Sequence, residues 1–166
     1  MSPPFLETVL AGDCAEPDVG LPKGWPDKHD RGFLELRLRE MRREPDRQEW
    51  LVRALVRRGD DRRMIGHAGF HGPPGVNAVK AAGAVELGYT VFEPYRGQGF
   101  ATEAAQALMH WAESRHGIQH FVASVEPGNA ASLALVRRLG FERTGRHWDD
   151  EDGEELEFEL RISGGV

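Results

Sequence analysis

YRGQGFAT, residues 95–102, follows a run of strand composition, Ala84–Phe92 (AVELGYTVF), and opens a helical run with small or apolar side chains at Ala101, Ala104, Ala105, Leu108 and Ala112. Gly97 and Gly99 can take positive φ, so successive backbone N–H groups turn into one concavity at the positive end of the coming helix. A pyrophosphate suits such a nest, because the first helical turn leaves four donors unsatisfied and glycine removes the β-carbons that would hold the ligand off. The plainer alternative is a strand-to-helix turn that needs glycine only for curvature. Two other phosphate loops do not fit. A Walker loop ends in Gly-Lys-Ser/Thr, and no lysine follows Lys80. A dinucleotide-binding Gly-x-Gly-x-x-Gly loop needs a third glycine where Thr102 stands, and the strands before it read as antiparallel.

Toward the N-terminus, Met64–Phe70 and Trp50–Val56 have strand composition and flank a charged Gly-Asp turn, Arg57–Arg63, which predicts a hairpin. A second turn at His71–Gly75 leads into Ala84–Phe92, giving three successive antiparallel strands. Arg31–Arg43 spaces Leu34, Leu38 and Met41 as one face of a helix that stops before Pro45, with its arginines as a solvated surface. The breaker-rich first thirty residues allow one short strand, Phe5–Leu10, and otherwise loops. Toward the C-terminus a helix over Gly99–His116, a strand over His120–Val125, a helix over Asn129–Leu139 and strands over Phe141–Trp148 and Glu154–Ile162 follow. Strand, helix, strand demands a parallel pair with a right-handed crossover, so the sheet is mixed.

The 166 residues, 40% of them hydrophobic, make a single domain spanning 1–166. The apolar runs fall far short of the roughly 18 residues that span a bilayer, and Met1–Leu10 has no basic leader, which predicts a soluble, cytoplasmic chain without a membrane partner. A net charge of −6 argues against broad nucleic-acid binding and suits small or cationic partners. Cys14, flanked by Asp13 and Glu16, reads as an inert thiol. The seven histidines, His67, His71, His110 and His147 among them, show no metal-ligand spacing and read as scattered surface or half-buried groups, so no metal is expected. Trp50, Trp111 and Trp148 read as core or cleft walls, and Trp25 as a loop anchor or an acceptor-pocket wall. In the acidic run Asp149–Glu159, Leu156, Phe158 and Leu160 alternate as the inner face of an otherwise exposed strand; its charge could also attract a cationic acceptor.

Arg96–Ala101 (RGQGFA) matches the Arg/Gln-x-x-Gly-x-Gly/Ala loop of the GNAT superfamily of N-acetyltransferases, and Asn129–Phe141 (NAASLALVRRLGF) resembles its second block in the Asn-x-x-Ser form. Glu86–Tyr95 (ELGYTVFEPY) resembles the strand before the loop. The likeness runs from about Trp50 to Leu160, and it is nearest to the group that acetylates ribosomal-protein N-termini. It implies a GNAT fold of the mixed α/β class: a mostly antiparallel sheet, one splayed parallel pair, and about four helices. Acetyl-CoA would lie between the splayed strands, held by Tyr89, Val91, Arg96, Gly97, Gln98, Gly99, Phe100, Ala101, Thr102, Asn129 and Ser132.

Acetyl transfer from a thioester to an amine makes three demands. The amine must be neutral, yet a lysine-type amine near pKa 10.4 is neutral only about once in a few thousand at pH 7. Glu86, on the strand leading to the loop, could take the proton through a water, or could be a strand carboxylate facing solvent or an arginine. Glu151 is a second candidate, because relatives of the ribosomal-protein type carry an acid after the second block. The carbonyl oxygen needs a donor, which a backbone N–H near Tyr89–Val91 supplies. The leaving thiolate needs a proton. Many relatives use a tyrosine four residues past the serine; Val136 stands there, which leaves Ser132 as the replacement. Asn129, three residues before Ser132, suits a helix N-cap as well as the pantetheine arm.

The expected activity is an enzymatic N-acetyl transfer to a primary amine, a protein N-terminus or a small molecule, by direct attack in a ternary complex. A homodimer is compatible with this reading. The missing tyrosine motivates a rival from another class, a catalytically silent acyl-CoA sensor or interaction module. A resistance-type enzyme for polyamine or aminoglycoside-like acceptors rests on the acidic run alone.

Overall fold

The computed structural model of the protein describes residues 1–13, 19–59, 61–149 and 153–162. Cys14, Glu16 and Glu151 lie outside the described residues, and so does part of the acidic run. Among the described residues six strands form one sheet: β1 (Arg53–Val56), β2 (Met64–Phe70), β3 (Val85–Val91), β4 (His120–Val125), β5 (Glu142–Asp149) and β6 (Gly153–Arg161), in the order β1-β2-β3-β4-β6-β5. Every neighbouring pair is antiparallel except β3 and β4. These two pair only at Val85 with Phe121 and Glu86 with Val122, and beyond that point they part. Helix α3 (Phe100–His116) makes the crossover between them, and α4 (Ala130–Arg138) follows β4. The mixed sheet with one splayed parallel pair is thus as expected.

Period-2 alternation divides the sheet's two faces. Val85 and Leu87 of β3, Phe121, Ala123 and Val125 of β4 and Phe158 of β6 pack with Ala104, Ala105, Leu108 and Ala112 of α3 in one buried cluster. The alanines let α3 lie close to the strands. A second cluster joins α1 (Pro3–Ala11) and α2 (Lys28–Arg43) through Leu6, Val9, Leu34, Leu38 and Met41, with Leu51 and Val52 before β1.

Helix α1 replaces the strand expected at Phe5–Leu10. Pro3 and Pro4 occupy the first turn, where a missing N–H costs nothing; Ser2 Oγ accepts from the Phe5 N–H at 3.4 Å, and Gly12 at φ 91° ends the helix. Nine residues are marginal as an isolated helix. Burial of Leu6 and Val9, at about 1.5–3 kcal/mol each, is what holds it in place. Helix α2 begins three residues before its apolar stripe suggests, because Asp27 Oδ1 accepts from the Asp30 N–H at 2.9 Å. Strand β1 starts at Arg53 rather than Trp50, since Trp50 closes the turn that follows the 3-10 helix Pro45–Arg47; its carbonyl still accepts from the Phe70 N–H at 2.8 Å.

Three further expectations need correction. Arg37 of α2 is not a solvated arginine: it is buried, donating to Glu40 at 2.8 Å and to the His71 carbonyl at 3.1 Å. Trp148 fills no wall; it is 73% exposed on the edge strand β5. On β6 Phe158 is buried as expected, but the glutamates opposite it are covered rather than open. Glu159 meets His120 at 2.6 Å, and Glu155 and Glu157 flank His147 at 3.4 and 3.1 Å. Among the described residues no helix is long and apolar enough to cross a membrane, and no three His, Cys, Asp or Glu side chains gather as they would around a metal ion.

Candidate active site

Where β3 and β4 part, a cleft of about 470 Å³ opens between the C-terminal half of β3, the start of α3 and the start of α4. Its wall brings together Tyr89, Val91, Arg96, Gly97, Gly99, Phe100, Ala101, Thr102, Asn129 and Ser132 of the residues expected there. Gln98 turns away, its Nε2 donating to the Pro94 carbonyl at 3.2 Å, and Arg96 folds its Nε onto the Val91 carbonyl at 2.9 Å.

The loop has the form a nest requires. Gly97 and Gly99 sit at φ 72° and 87°, and a β-carbon on either would meet nothing within 4 Å, so open space lies where a ligand would approach. Gly99 is the N-cap of α3 and offers no capping side chain. Among the described residues the N–H groups of Gly97 through Thr102 make no backbone hydrogen bond; the first from this turn is Glu103 N–H to the Gly99 carbonyl at 3.1 Å. Consecutive unpaired donors at a helix N-terminus fit a diphosphate.

Across the cleft, Asn129 caps α4, its Oδ1 accepting from the Ser132 N–H at 3.0 Å. Ser132 shares the cleft wall with Tyr89, whose pKa burial pushes above its ordinary value of 10, with the neighbouring Ser132 opposing. The phenol therefore stays protonated at neutral pH. Val136, at the position where many relatives carry tyrosine, is buried in the core. A tyrosine still lines the cleft with Ser132, from β3 instead of α4. The sequence offers Tyr89 as a cofactor contact and as a backbone donor, but not its phenol beside Ser132; its parity with Val91 on β3 is the available signal.

Glu86 lies on the opposite parity of β3, 2% exposed. Its Oε1 accepts from Ser124 Oγ at 2.6 Å and its Oε2 from the Ala78 N–H at 2.7 Å, so both oxygens are engaged; His71 Nδ1 stands 3.7 Å from Oε2. On this side of β3 a second cavity of about 190 Å³ is lined by α2, β2 and β3, and it shares Tyr89 and Thr90 with the first. Asp30, Phe33 and Arg37 of α2 and His67, His71, Gly69 and Gly88 belong to it. His67 is buried, stacked on Phe33 at 5.0 Å, with Asp30 at 3.6 Å. Burial lowers its pKa below the ordinary 6.5, with Asp30 opposing. Trp25 packs against Phe92 and the α1/α2 cluster as a loop anchor and lines neither cavity.

Residues 6–142 match the acetyltransferase (GNAT) domain family. The chain belongs to that family. The L-methionine sulfoximine/L-methionine sulfone acetyltransferase of Pseudomonas aeruginosa is 44% identical over 64 residues, 39% of this chain and 37% of that protein. The ribosomal protein uS5-alanine N-acetyltransferase of Escherichia coli is 32% identical over 87 residues, 52% of this chain and 42% of that one. The latter fits the nearness to the ribosomal-protein group, and this GNAT chain spans less than half the length of either relative. A GNAT-family structure from Bordetella pertussis superposes with a TM-score of 0.66 at 24% identity over 93% of this chain and 89% of its own, which shows the shared fold.

Proposed function

We propose that this GNAT chain transfers the acetyl group of acetyl-CoA to a primary amine by direct attack, without a covalent enzyme intermediate. The observation that carries the reading is the row of N–H groups from Gly97 to Thr102 without backbone partners, in a turn that borders one cleft with Asn129 and Ser132 where β3 and β4 part. Bound acetyl-CoA supplies a thioester carbonyl open to an amine. The loop amides hold the diphosphate, and Asn129 adds a hydrogen bond to the pantetheine arm while capping α4. The edge of β3 past Glu86, which has no β4 partner, offers the backbone N–H near Tyr89–Val91 that accepts charge from the carbonyl oxygen. Ser132, which shares the cleft wall with Tyr89, donates the proton that the departing thiolate takes. Glu86 provides the negative charge that favours removal of a proton from the amine. Among acceptors, a peptide N-terminus and a free amino compound are the two classes its relatives' activities suggest.

Titration calorimetry with acetyl-CoA tests the reading, followed by a thiol-release assay with an alanine-starting peptide, L-methionine sulfone and spermidine. Binding, with thiol release and a product one acetyl group heavier, is the expected result. Absence of binding would overturn the cleft assignment, whereas tight binding with no amine consumed would favour the silent acyl-CoA module.

A further inference from the structure

The two cavities meet at Tyr89 and Thr90, so a thioester carbonyl held against this stretch of β3 is approached from the cofactor cleft on one side and from the smaller cavity on the other. We propose that the smaller cavity receives the acceptor's amine and that His71, seated over Gly88 and backed by Glu86, takes the amine's proton. This rests on the acetyl-transfer reading above.

His71 is held at its backbone from two sides: its N–H donates to the Glu86 carbonyl at 2.9 Å, and its carbonyl accepts from Arg37 at 3.1 Å. Its ring lies across β3 at Gly88, where an added β-carbon would stand 3.2 Å from Nε2 and push the imidazole aside by a few tenths of an ångström. Nδ1 faces the Glu86 carboxylate at 3.7 Å, beyond hydrogen-bond length but close enough for its charge to favour the Nδ1–H tautomer. That leaves the Nε2 lone pair as the free base. The groups facing the ring are Glu86 of β3, Arg37 and Glu40 of α2 and Asp149 of β5; desolvation lowers the imidazole's pKa from its ordinary 6.5, although the side chain is 44% exposed, and a histidine at or below 6.5 is mostly neutral at pH 7. Glu86, with both oxygens engaged, acts as a positioning residue. It orients and steadies His71 rather than meeting the amine.

The proton count closes without another reagent. An ammonium N–H gives one proton to Nε2, which passes it to solvent, and the freed nitrogen lone pair forms the C–N bond; the C–S bond breaks with its electrons on sulfur, which takes a proton from the Ser132 side, and the second proton, released by the new amide nitrogen, replaces the one Ser132 gave. A volume of about 190 Å³ holds roughly six water-sized groups. The cavity therefore takes the amine end of its acceptor, a terminal residue or a small amino compound, with Asp30 on its wall as the anionic group that draws in a cation.

The test needs no known acceptor at its first stage. In the full chain with ring-15N histidine and acetyl-CoA, His71 should carry its proton on Nδ1 with Nε2 bare at pH 7, and Glu86→Gln should move its titration to lower pH. A doubly protonated or Nε2–H ring at pH 7 would overturn the proposal. At the second stage, with the amine the panel identifies, His71→Asn should cut kcat about 10²–10⁴-fold with acetyl-CoA affinity within twofold. Its deficit should shrink as pH rises and free amine accumulates. A variant with wild-type kcat and pH profile overturns the role of His71 alone, whereas loss of acetyl-CoA binding in the wild type overturns the cleft reading beneath it.

Discussion

Helix α3 carries a left-handed glycine at each end, Gly99 at φ 87° and Gly117 at φ 67°, and an added β-carbon on either meets nothing within 4 Å. Gly99→Ala and Gly117→Ala therefore carry the same cost to folding, the strain of a β-carbon in the left-handed region, about 1–2 kcal/mol. For a chain of this length, each kcal/mol lowers Tm by about 2–4 °C. Their effects on acetyl-CoA should differ sharply. At Gly99 the methyl group stands among the unpaired N–H groups of the loop. Displacing the diphosphate from one or two charge-assisted hydrogen bonds, at about 1.5–3 kcal/mol each, weakens binding by at least about tenfold. At Gly117, a helix length away, affinity should not change. Thermal unfolding and titration calorimetry on the two variants decide the matter. Equal Tm losses with acetyl-CoA affinity within twofold of wild type for both would remove the diphosphate from this loop.

Three further outcomes are expected. Asn129→Ala should lose about 1 kcal/mol of stability with the cap, whereas Asn129→Asp should keep it, so calorimetry with acetyl-CoA on the Asp variant isolates the contact to the pantetheine arm. Ser132→Ala and Tyr89→Phe should each lower kcat more than acetyl-CoA affinity, and the double variant should lose less than the product of the two if the hydroxyls, which line one cleft wall, act together; independent effects in steady-state kinetics would separate them. His67 is held below its unfolded value of 6.5 by burial, so the unfolded chain binds the proton more readily. Its contribution is complete above that pH and is lost as pH falls through it, by at most about 1.4 kcal/mol per pH unit, and denaturant titrations from pH 7.5 to 5 should show the slope flatten in His67→Asn.

The cofactor side was legible because it is local. Residues 95–102 and 129–141 each carry their glycines, caps and spacing within a single stretch, and the strand order around them follows from connection lengths. The other side is assembled from distant pieces. Arg37 and Asp30 of α2, His67 of β2 and Gly88 of β3 meet only once α2 docks on the sheet, and Glu86 finds Ser124 thirty-eight positions away. No periodicity announces such a meeting. At the N-terminus the failure has another cause: Pro3 and Pro4 count as breakers along the chain, yet in a first helical turn proline's fixed φ and missing N–H favour the helix.

Both halves of the chemistry depend on the register of one strand. Along β3, Val91 lines the larger cleft and Gly88 the smaller cavity, with Tyr89 and Thr90 shared where the two meet. Five residue pairs with β2, from Gly66 opposite Val91 to Phe70 opposite Leu87, fix that register on one edge. On the other edge the pairing with β4 stops at Glu86. Had β4 continued alongside, the backbone groups past Glu86 would be taken up by the ladder and the gap closed. Strong pairing on one side and early parting on the other thus give β3 a fixed set of side chains on each face and a free edge between them. A slip by one residue would exchange the faces, carrying Glu86 into the core cluster and Leu87 out of it, so the register that holds the fold also holds the division between the two cavities.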